Sequence, residues 1–139
     1  MIVDAKGLVA GRLSTKLAKL LIQGESITLL NAEEAIIVGN KVNIMEKFKL
    51  RVDAAVKSNP HFGPKYARIP DRMLRRMIKG MLPIKQTTKE KIIKRLKVYN
   101  AVPKEFAKEK AVFFGEFACN GRHSFMTLKE IADLLGGRW

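Results

Sequence analysis

Apolar residues in the first third of the chain follow the spacing of two strands separated by a helix. Residues 1–4 form a short apolar run that leads through Ala-Lys-Gly into a turn. Leucines recur at helical spacing over residues 12–23, and Gly24 follows as a typical helix terminator. Residues 27–30 (ITLL) are apolar almost throughout, as strands buried in a parallel sheet are. This order of strand, helix and strand predicts a right-handed βαβ unit.

The next apolar segment, residues 35–38, precedes a predicted helix. Its pattern, AIIV, fits a strand and a short buried segment equally well. Asn40 is a suitable N-cap for a helix that runs to about residue 56. The residues predicted to face inward on this helix are Val42, Met45, Phe48 (or Lys49) and Val52.

Proline and glycine divide the second half of the chain. Residues 57–69 contain two prolines and a glycine, which predict an irregular basic loop. Pro70 suits the first turn of a helix that continues to about residue 81. Pro83 then interrupts the chain before a predicted helix over residues 87–97.

The last third of the chain predicts shorter elements. Residues 98–99 are the end of a strand, and residues 111–114 predict a short edge strand. Thr127 caps a final helix over residues 128–135, which two glycines terminate. With 139 residues, 47% of them hydrophobic, the chain is predicted to form one α/β domain over residues 1–139.

Positive charge is concentrated in the middle of the chain. Residues 65–97 contain twelve Lys and Arg against two acids, so they carry +10 of the total net charge of +14. Both flanks have the mixed charges of an ordinary protein surface. This distribution, with a pI near 10.2, predicts a polyanionic partner: a nucleic acid, an anionic membrane or an acidic protein.

The helix predicted after Pro70 separates its cations from its apolar residues. At 100° per residue, Arg72, Arg75, Arg76 and Lys79 share an arc of about 100°. The opposite face holds only apolar residues of the helix. The following predicted helix repeats this arrangement, with Lys91, Lys94, Arg95 and Lys97 opposite Ile92, Ile93 and Leu96. Like charges at three- and four-residue spacing repel each other, which favours an external anion over a solvated helix face.

Nucleic acid is the preferred polyanion. The apolar faces lack the Trp or Phe anchors of membrane-surface helices. Aromatic residues make up only 7% of the chain, so base stacking is not the main means of recognition. Recognition of phosphates and RNA shape by Arg and Lys fits this composition better than sequence reading.

Residues 7–14 support an alternative, a nucleotide-binding α/β enzyme. They join a predicted strand to a predicted helix, where backbone N–H groups can bind phosphate. Their spacing is wrong for known phosphate loops, because Gly-x-Gly-x-x-Gly is absent and three residues, not four, separate Gly7 from Gly11. A tight turn is the favoured interpretation, with Arg12 placed to contact an RNA phosphate.

Other kinds of site have weak support. Cys119 is the only cysteine, and His61 and His123 are far apart without ligands at metal-binding spacing. No apolar run approaches the roughly 20 residues of a membrane span, and the N-terminus lacks a signal-peptide pattern. We therefore expect a cytoplasmic protein with no metal, no cofactor, no membrane contact and no small-molecule substrate.

Several motifs resemble the family of large-subunit ribosomal protein thirteen. They span residues 3–103 and read VDAxGxVxGRLS (3–14) with Ala18 and Leu21, LNAE (30–33), VGNK (38–41), GMLP (80–83) with Lys85, and RLKVY (95–99) with Pro103. The chain begins directly at the first predicted strand, which resembles the archaeal members. It departs from the family pattern where a histidine-rich stretch is reduced to His61 and where QTTKE follows Lys85.

The resemblance implies a fold and a function. The fold is a three-layer α/β/α arrangement with a central, mostly parallel four-stranded sheet. The function is to bind and organise large-subunit (23S-type) rRNA without catalysis, early in subunit assembly. Residues 104–139 match the family least, and we expect them to pack and to contact neighbouring ribosomal proteins.

The residues predicted to bind RNA are basic residues of the middle segment, together with one in the first predicted helix. They are Arg12, Lys65, Arg68, Arg72, Arg75, Arg76, Lys79, Lys85, Lys94, Arg95 and Lys97.

Overall fold

The computed structural model describes residues 1–83, 86–107, 109–119, 121 and 123–139. Five strands and five α-helices lie within this part of the chain. The strands are β1 (Ile2–Asp4), β2 (Ile27–Leu30), β3 (Ile36–Val38), β4 (Leu96–Val98) and β5 (Phe125–Thr127). The helices are α1 (Ala10–Ile22), α2 (Lys41–Asp53), α3 (Pro70–Gly80), α4 (Gln86–Ile93) and α5 (Leu128–Leu134). None of these helices has the length and apolar character of a membrane span.

The central sheet is parallel and has the strand order β1-β2-β4. Val3 and Leu29 are fully buried and pair with each other, and Leu29 pairs on its other side with the half-buried Val98. Helix α1 connects β1 to β2, which confirms the predicted βαβ order and the α/β class. The predicted four-stranded sheet is not confirmed, because among the described residues this sheet has three strands. The predicted edge strand at 111–114 contributes a single parallel bridge, from Val112 to Val3.

Strand β3 pairs with β5 in a separate antiparallel sheet, with Ile37 opposite Met126. Only five residues separate β2 from β3. A parallel connection between neighbouring strands needs about a dozen residues or more, so β3 cannot return to lie parallel beside β2. An isolated parallel bridge joins Ile36 of β3 to Val9, which lies between β1 and α1.

The core lies where α1 and α3 pack against each other and against the parallel sheet. The leucines that predicted α1 lie on its buried face, which also contains Ser14. On α3 the buried residues are Pro70, Met73, Leu74 and Ile78. Burial of apolar surface contributes roughly 25 cal/mol per Å², which makes these two faces the main stabilising contact of both helices.

Helix α2 differs from its predicted inward face. The Asn40 side chain accepts a hydrogen bond from the backbone N of Val42 at 3.0 Å, which confirms the predicted cap. The Val42 side chain, however, is 61% exposed, and Ile44 and Phe48 are the buried residues. Ile44 and Phe48 are four residues apart and lie on one side of the helix. The buried face therefore starts at Ile44, two residues after the predicted Val42. Met45 and Val52 are half-buried, Lys49 is exposed, and the helix ends at Asp53.

Helix α4 ends at Ile93, so its predicted extension to residue 97 is wrong. Leu96 belongs to β4, where the neighbouring Arg95 carbonyl oxygen accepts a hydrogen bond from Ile27 N at 3.0 Å. Sheet hydrogen bonding therefore replaces the last helical turn. Lys94 and Arg95 lie in the turn between α4 and β4, and Lys97 lies on β4. These three cations do not share a helical face.

The end of α5 is fixed by close backbone contacts. Thr127 and Glu130 form a reciprocal capping box at its start, as the Thr127 prediction requires. At its end, Gly137 N donates a hydrogen bond to the Ala132 carbonyl oxygen at 2.8 Å. A Cβ on Gly137 would overlap the carbonyl oxygen of Arg68 and lie 3.1 Å from that of Ala132. Glycine at this position thus permits the chain after α5 to lie against the loop that leads into α3.

We expect Gly137→Ala to lower the free energy of unfolding by about 1–3 kcal/mol, because both atoms that it would meet belong to the backbone. Urea denaturation followed by circular dichroism measures this change. Gly11→Ala is the matched control, since a Cβ there meets no atom within 4 Å. Equal midpoints for wild type and Gly137→Ala would contradict the proposed close contact.

Candidate nucleic-acid interface

Helix α3 presents its cations on the side opposite the core. Pro70 occupies the first turn, where its missing N–H costs nothing, and Asp71 lies at the favourable end of the helix dipole. Because Met73, Leu74 and Ile78 are buried against α1 and the sheet, the other side of the helix faces solvent. Its exposed basic residues are Arg72, Arg75, Arg76 and Lys79, which confirms the predicted division of faces.

Arg75 links α3 to the end of α4. Its Nη2 donates a hydrogen bond to the Ile93 carbonyl oxygen at 3.3 Å. Ile93 is the last residue of α4, where carbonyl groups lack helical partners and a cation is favourable. Arg75 therefore has a structural role in addition to its predicted role in RNA binding.

Arg76 fixes the loop that precedes α3. Its Nη1 donates to the Lys65 carbonyl oxygen at 2.9 Å, and its guanidinium carbon lies 4.6 Å from the centroid of the Tyr66 ring. A cation at this distance from an aromatic face is attracted to it. These contacts hold Lys65, a predicted RNA-binding residue with an exposed side chain, next to the basic face of α3.

Arg51 joins this group, although the sequence did not indicate it. Its guanidinium carbon lies 5.6 Å from the Tyr66 centroid and 5.8 Å from that of Phe48, and its Nη1 donates to the Tyr66 hydroxyl at 3.3 Å. The Tyr66 ring meets Phe48 edge to face, with centroids 5.9 Å apart. The only available signal was the three-residue spacing of Phe48 and Arg51 on one helix. The contact with Tyr66 depends on the fold.

The remaining predicted residues within the described part of the chain divide into three groups. Within the described part of the chain, the side chains of Arg68, Arg72 and Lys79 are exposed and form no hydrogen bond or ion pair. Arg12 is exposed on α1, where it lines a shallow groove of about 300 Å³ with Lys16 and Lys19. Lys94, Arg95 and Lys97 are exposed around the start of β4, and Arg95 lies beside Gly24. Lys85 lies outside the described residues.

The backbone N–H groups of residues 7–9 are not available to a phosphate. The N–H groups of Gly7, Leu8 and Val9 donate to the carbonyl oxygens of Glu34, Ala5 and Phe117 at 3.1, 3.1 and 2.9 Å. Ser14 is completely buried, so its hydroxyl cannot reach a nucleotide. This segment is a structural turn followed by the first turn of α1, and the buried Ser14 disfavours the nucleotide-binding enzyme.

The fold and the exposed cations of α3 define a basic α/β protein. A family model described as Ribosomal protein L13 matches residues 1–105. The chain belongs to this family.

Similar proteins named "Large ribosomal subunit protein uL13" cover nearly the whole chain. The protein of Methanosphaera stadtmanae is 41% identical over 139 residues, which are 99% of this chain and 98% of the relative. That of Thermoplasma acidophilum is 39% identical over 136 residues, 98% of each chain. That of Methanocaldococcus jannaschii is 35% identical, over 99% of this chain and 98% of the relative. The similarity to archaeal relatives is the one expected from the motifs.

We expect Arg75→Ala to lower the free energy of unfolding by about 0.5–1.5 kcal/mol, because it removes a partly buried hydrogen bond to Ile93. Arg72→Ala, which removes the same charge from the same helix face, is expected to change it by less than about 0.5 kcal/mol. Thermal denaturation of both variants at equal ionic strength compares them. Identical losses would show that the Arg75 contact does not contribute to stability.

Proposed function

We propose that this protein is a structural component of the large ribosomal subunit, in the cytoplasm, and that it binds large-subunit rRNA through the exposed basic face of α3. The observation that carries the proposal is that Arg72 and Lys79 are exposed and unpaired among the described residues, on a helix whose other side is core. The relatives named as large-subunit proteins support rRNA as the polyanion.

Phosphate recognition explains the choice of residues on this face. RNA carries a dense line of phosphates, and each contact with Lys or Arg releases condensed counterions. The major groove of an A-form helix is too narrow for side chains to read bases there, so recognition depends on backbone and shape. A rigid helix with cations at three- and four-residue spacing suits this task. It stabilises the approach of rRNA segments that would otherwise repel each other.

Other parts of the chain support finer proposals. The chain folds as one domain over residues 1–139, with the three-layer α/β/α arrangement of its family and a fourth strand position at Val112. The hydrogen bonds from Asp4 N to Val112 O at 3.1 Å and from Val112 N to Ile2 O at 2.9 Å support that position.

The protein joins the subunit early in assembly, and residues 104–139 contact neighbouring ribosomal proteins. Phe113 is 54% exposed and offers an apolar surface for such a contact.

The best test changes cations that have no structural partner, because Arg75 and Arg76 make contacts within the protein. We expect Arg72→Gln and Lys79→Gln each to lower the affinity for large-subunit rRNA. Each lost phosphate contact should also reduce the slope of log K against log salt by roughly 0.7–0.9. Filter binding over a series of KCl concentrations measures both quantities.

Lys129→Gln is the control, since it removes one exposed positive charge from α5. It should leave the affinity close to that of the wild type. The assignment of the α3 face is wrong if the two α3 variants keep the wild-type affinity and slope. Sedimentation of cell lysate, with and without RNase, tests the ribosomal location independently. A protein that sediments apart from the large subunit at low salt contradicts it.

A further inference from the structure

A cleft of about 400 Å³ opens between the end of α2, the loop before α3 and the last turn of α3. Its volume lies within the range of roughly 300–1,000 Å³ that is usual for sites of small ligands. Residues of all three segments form its walls: Arg51, Ala54, Pro64, Arg76, Met77 and Gly80. The cleft is thus continuous with the basic face of α3, because Arg76 belongs to both.

One side of the cleft is cationic. Arg51 and Arg76 both contact Tyr66, which holds the two guanidinium groups at one place. Each guanidinium has five N–H donors. Each donates one hydrogen bond through its Nη1 within the described part of the chain, and neither forms an ion pair there. The remaining donors are available to an anion, and Lys65, whose side chain is exposed, is a third cation among the lining residues.

The other side of the cleft is apolar. Ala54, Pro64 and Met77 have no charged or hydrogen-bonding side-chain group except the weakly accepting thioether. A phosphate alone would leave this side empty. A ligand that fills the whole cleft therefore combines an anionic group with an apolar one.

The glycine at position 80 gives a second, independent argument for a ligand in the cleft. It lies at the last position of α3 without a positive φ, so its backbone conformation does not require glycine. A Cβ at this position would meet no atom within 4 Å, so packing within the protein does not require glycine either. Glycine nevertheless weakens a helix relative to alanine. Because Gly80 lines the cleft, the absence of a side chain leaves room there for a ligand.

We propose that this cleft binds one unstacked nucleotide of the rRNA, with its phosphate at Arg51 and Arg76 and its base against Pro64 and Met77. The inference rests on the proposed function, because the nucleotide belongs to the same RNA that the α3 face binds. Bases inside a duplex are stacked and cannot enter a cleft, so the nucleotide comes from a loop, a bulge or a junction. Tyr66 is the positioning residue, since it orients both guanidinium groups.

Crosslinking of the full-length protein to large-subunit rRNA tests the proposal. The RNA is transcribed with 4-thiouridine in one preparation and with 6-thioguanosine in another, and the crosslinked peptides are identified by mass spectrometry. We expect a crosslink from a single nucleotide to the peptides that contain Pro64, Tyr66 or Met77. Wild-type binding of both RNAs without any crosslink to these peptides would overturn the proposed nucleotide site in the cleft. The proposed RNA interface on α3 would still stand. Failure of the wild type to bind RNA would overturn both proposals.

Variants of the cleft give the second measurement. Gly80→Leu fills the cleft without changing the charge, and it should weaken RNA binding about tenfold, as expected for the loss of one base contact. It should also abolish the crosslinks of the cleft. Ala111→Leu is the control, because it adds the same side chain at an exposed position that does not line the cleft. Gly80→Leu with wild-type affinity and unchanged crosslinks would overturn the proposal.

Tyr66→Phe distinguishes a role of Tyr66 in positioning Arg51 from a role in stabilising the fold. It keeps the ring under Arg76 and removes the hydroxyl that accepts from Arg51. We expect the thermal midpoint to change little, while the yield of the cleft crosslink falls relative to crosslinks elsewhere. An unchanged ratio of crosslinks would show that Tyr66 does not position Arg51 for the nucleotide.

Discussion

The packing of α1 against α3 is the contact on which the arrangement of the protein depends. Leu13 and Leu17 of α1 are fully buried, as are Met73, Leu74 and Ile78 of α3. Because α3 is amphipathic, burial of this apolar side determines which way its arginines face. The free energy gained from apolar burial thus also stabilises a surface of like charges that would be unfavourable on an isolated helix. In this way, the core orients the basic face.

The cations of this surface fall into two physical kinds. Arg72 and Lys79 have no protein partner among the described residues, so they retain their side-chain entropy and lose it only when an anion binds. Arg51, Arg75 and Arg76 are already held by hydrogen bonds or by Tyr66. A held guanidinium loses less freedom on binding and presents its donors in one direction. In the proposed complex with rRNA, the free cations supply attraction and the held ones supply geometry.

Sequence patterns predicted the elements that depend on local spacing. The 3.6-residue period identified α1 and α3, and Asn40 and Thr127 marked helix starts correctly. The apolar pattern predicts a helix to residue 97, whereas residues 96–98 form strand β4. Leu96 is buried in either arrangement, so its apolar character does not distinguish them. The pairing of β3 with β5 joins segments far apart in the chain, which no local pattern reveals. Arg51 was missed for the same reason, since its partner Tyr66 comes from the loop beyond α2.

Two of the held arginines donate to main-chain oxygens, and this determines which substitutions their partner positions tolerate. Arg75 and Arg76 donate to the main-chain oxygens of Ile93 and Lys65, not to side chains. Every amino acid supplies such an oxygen, so the partner positions can be substituted while the acceptor itself is preserved. Substitution of Ile93 or Lys65 therefore preserves the acceptors that orient the two guanidinium groups. Only loss of the arginine or a shift of the backbone removes that orientation.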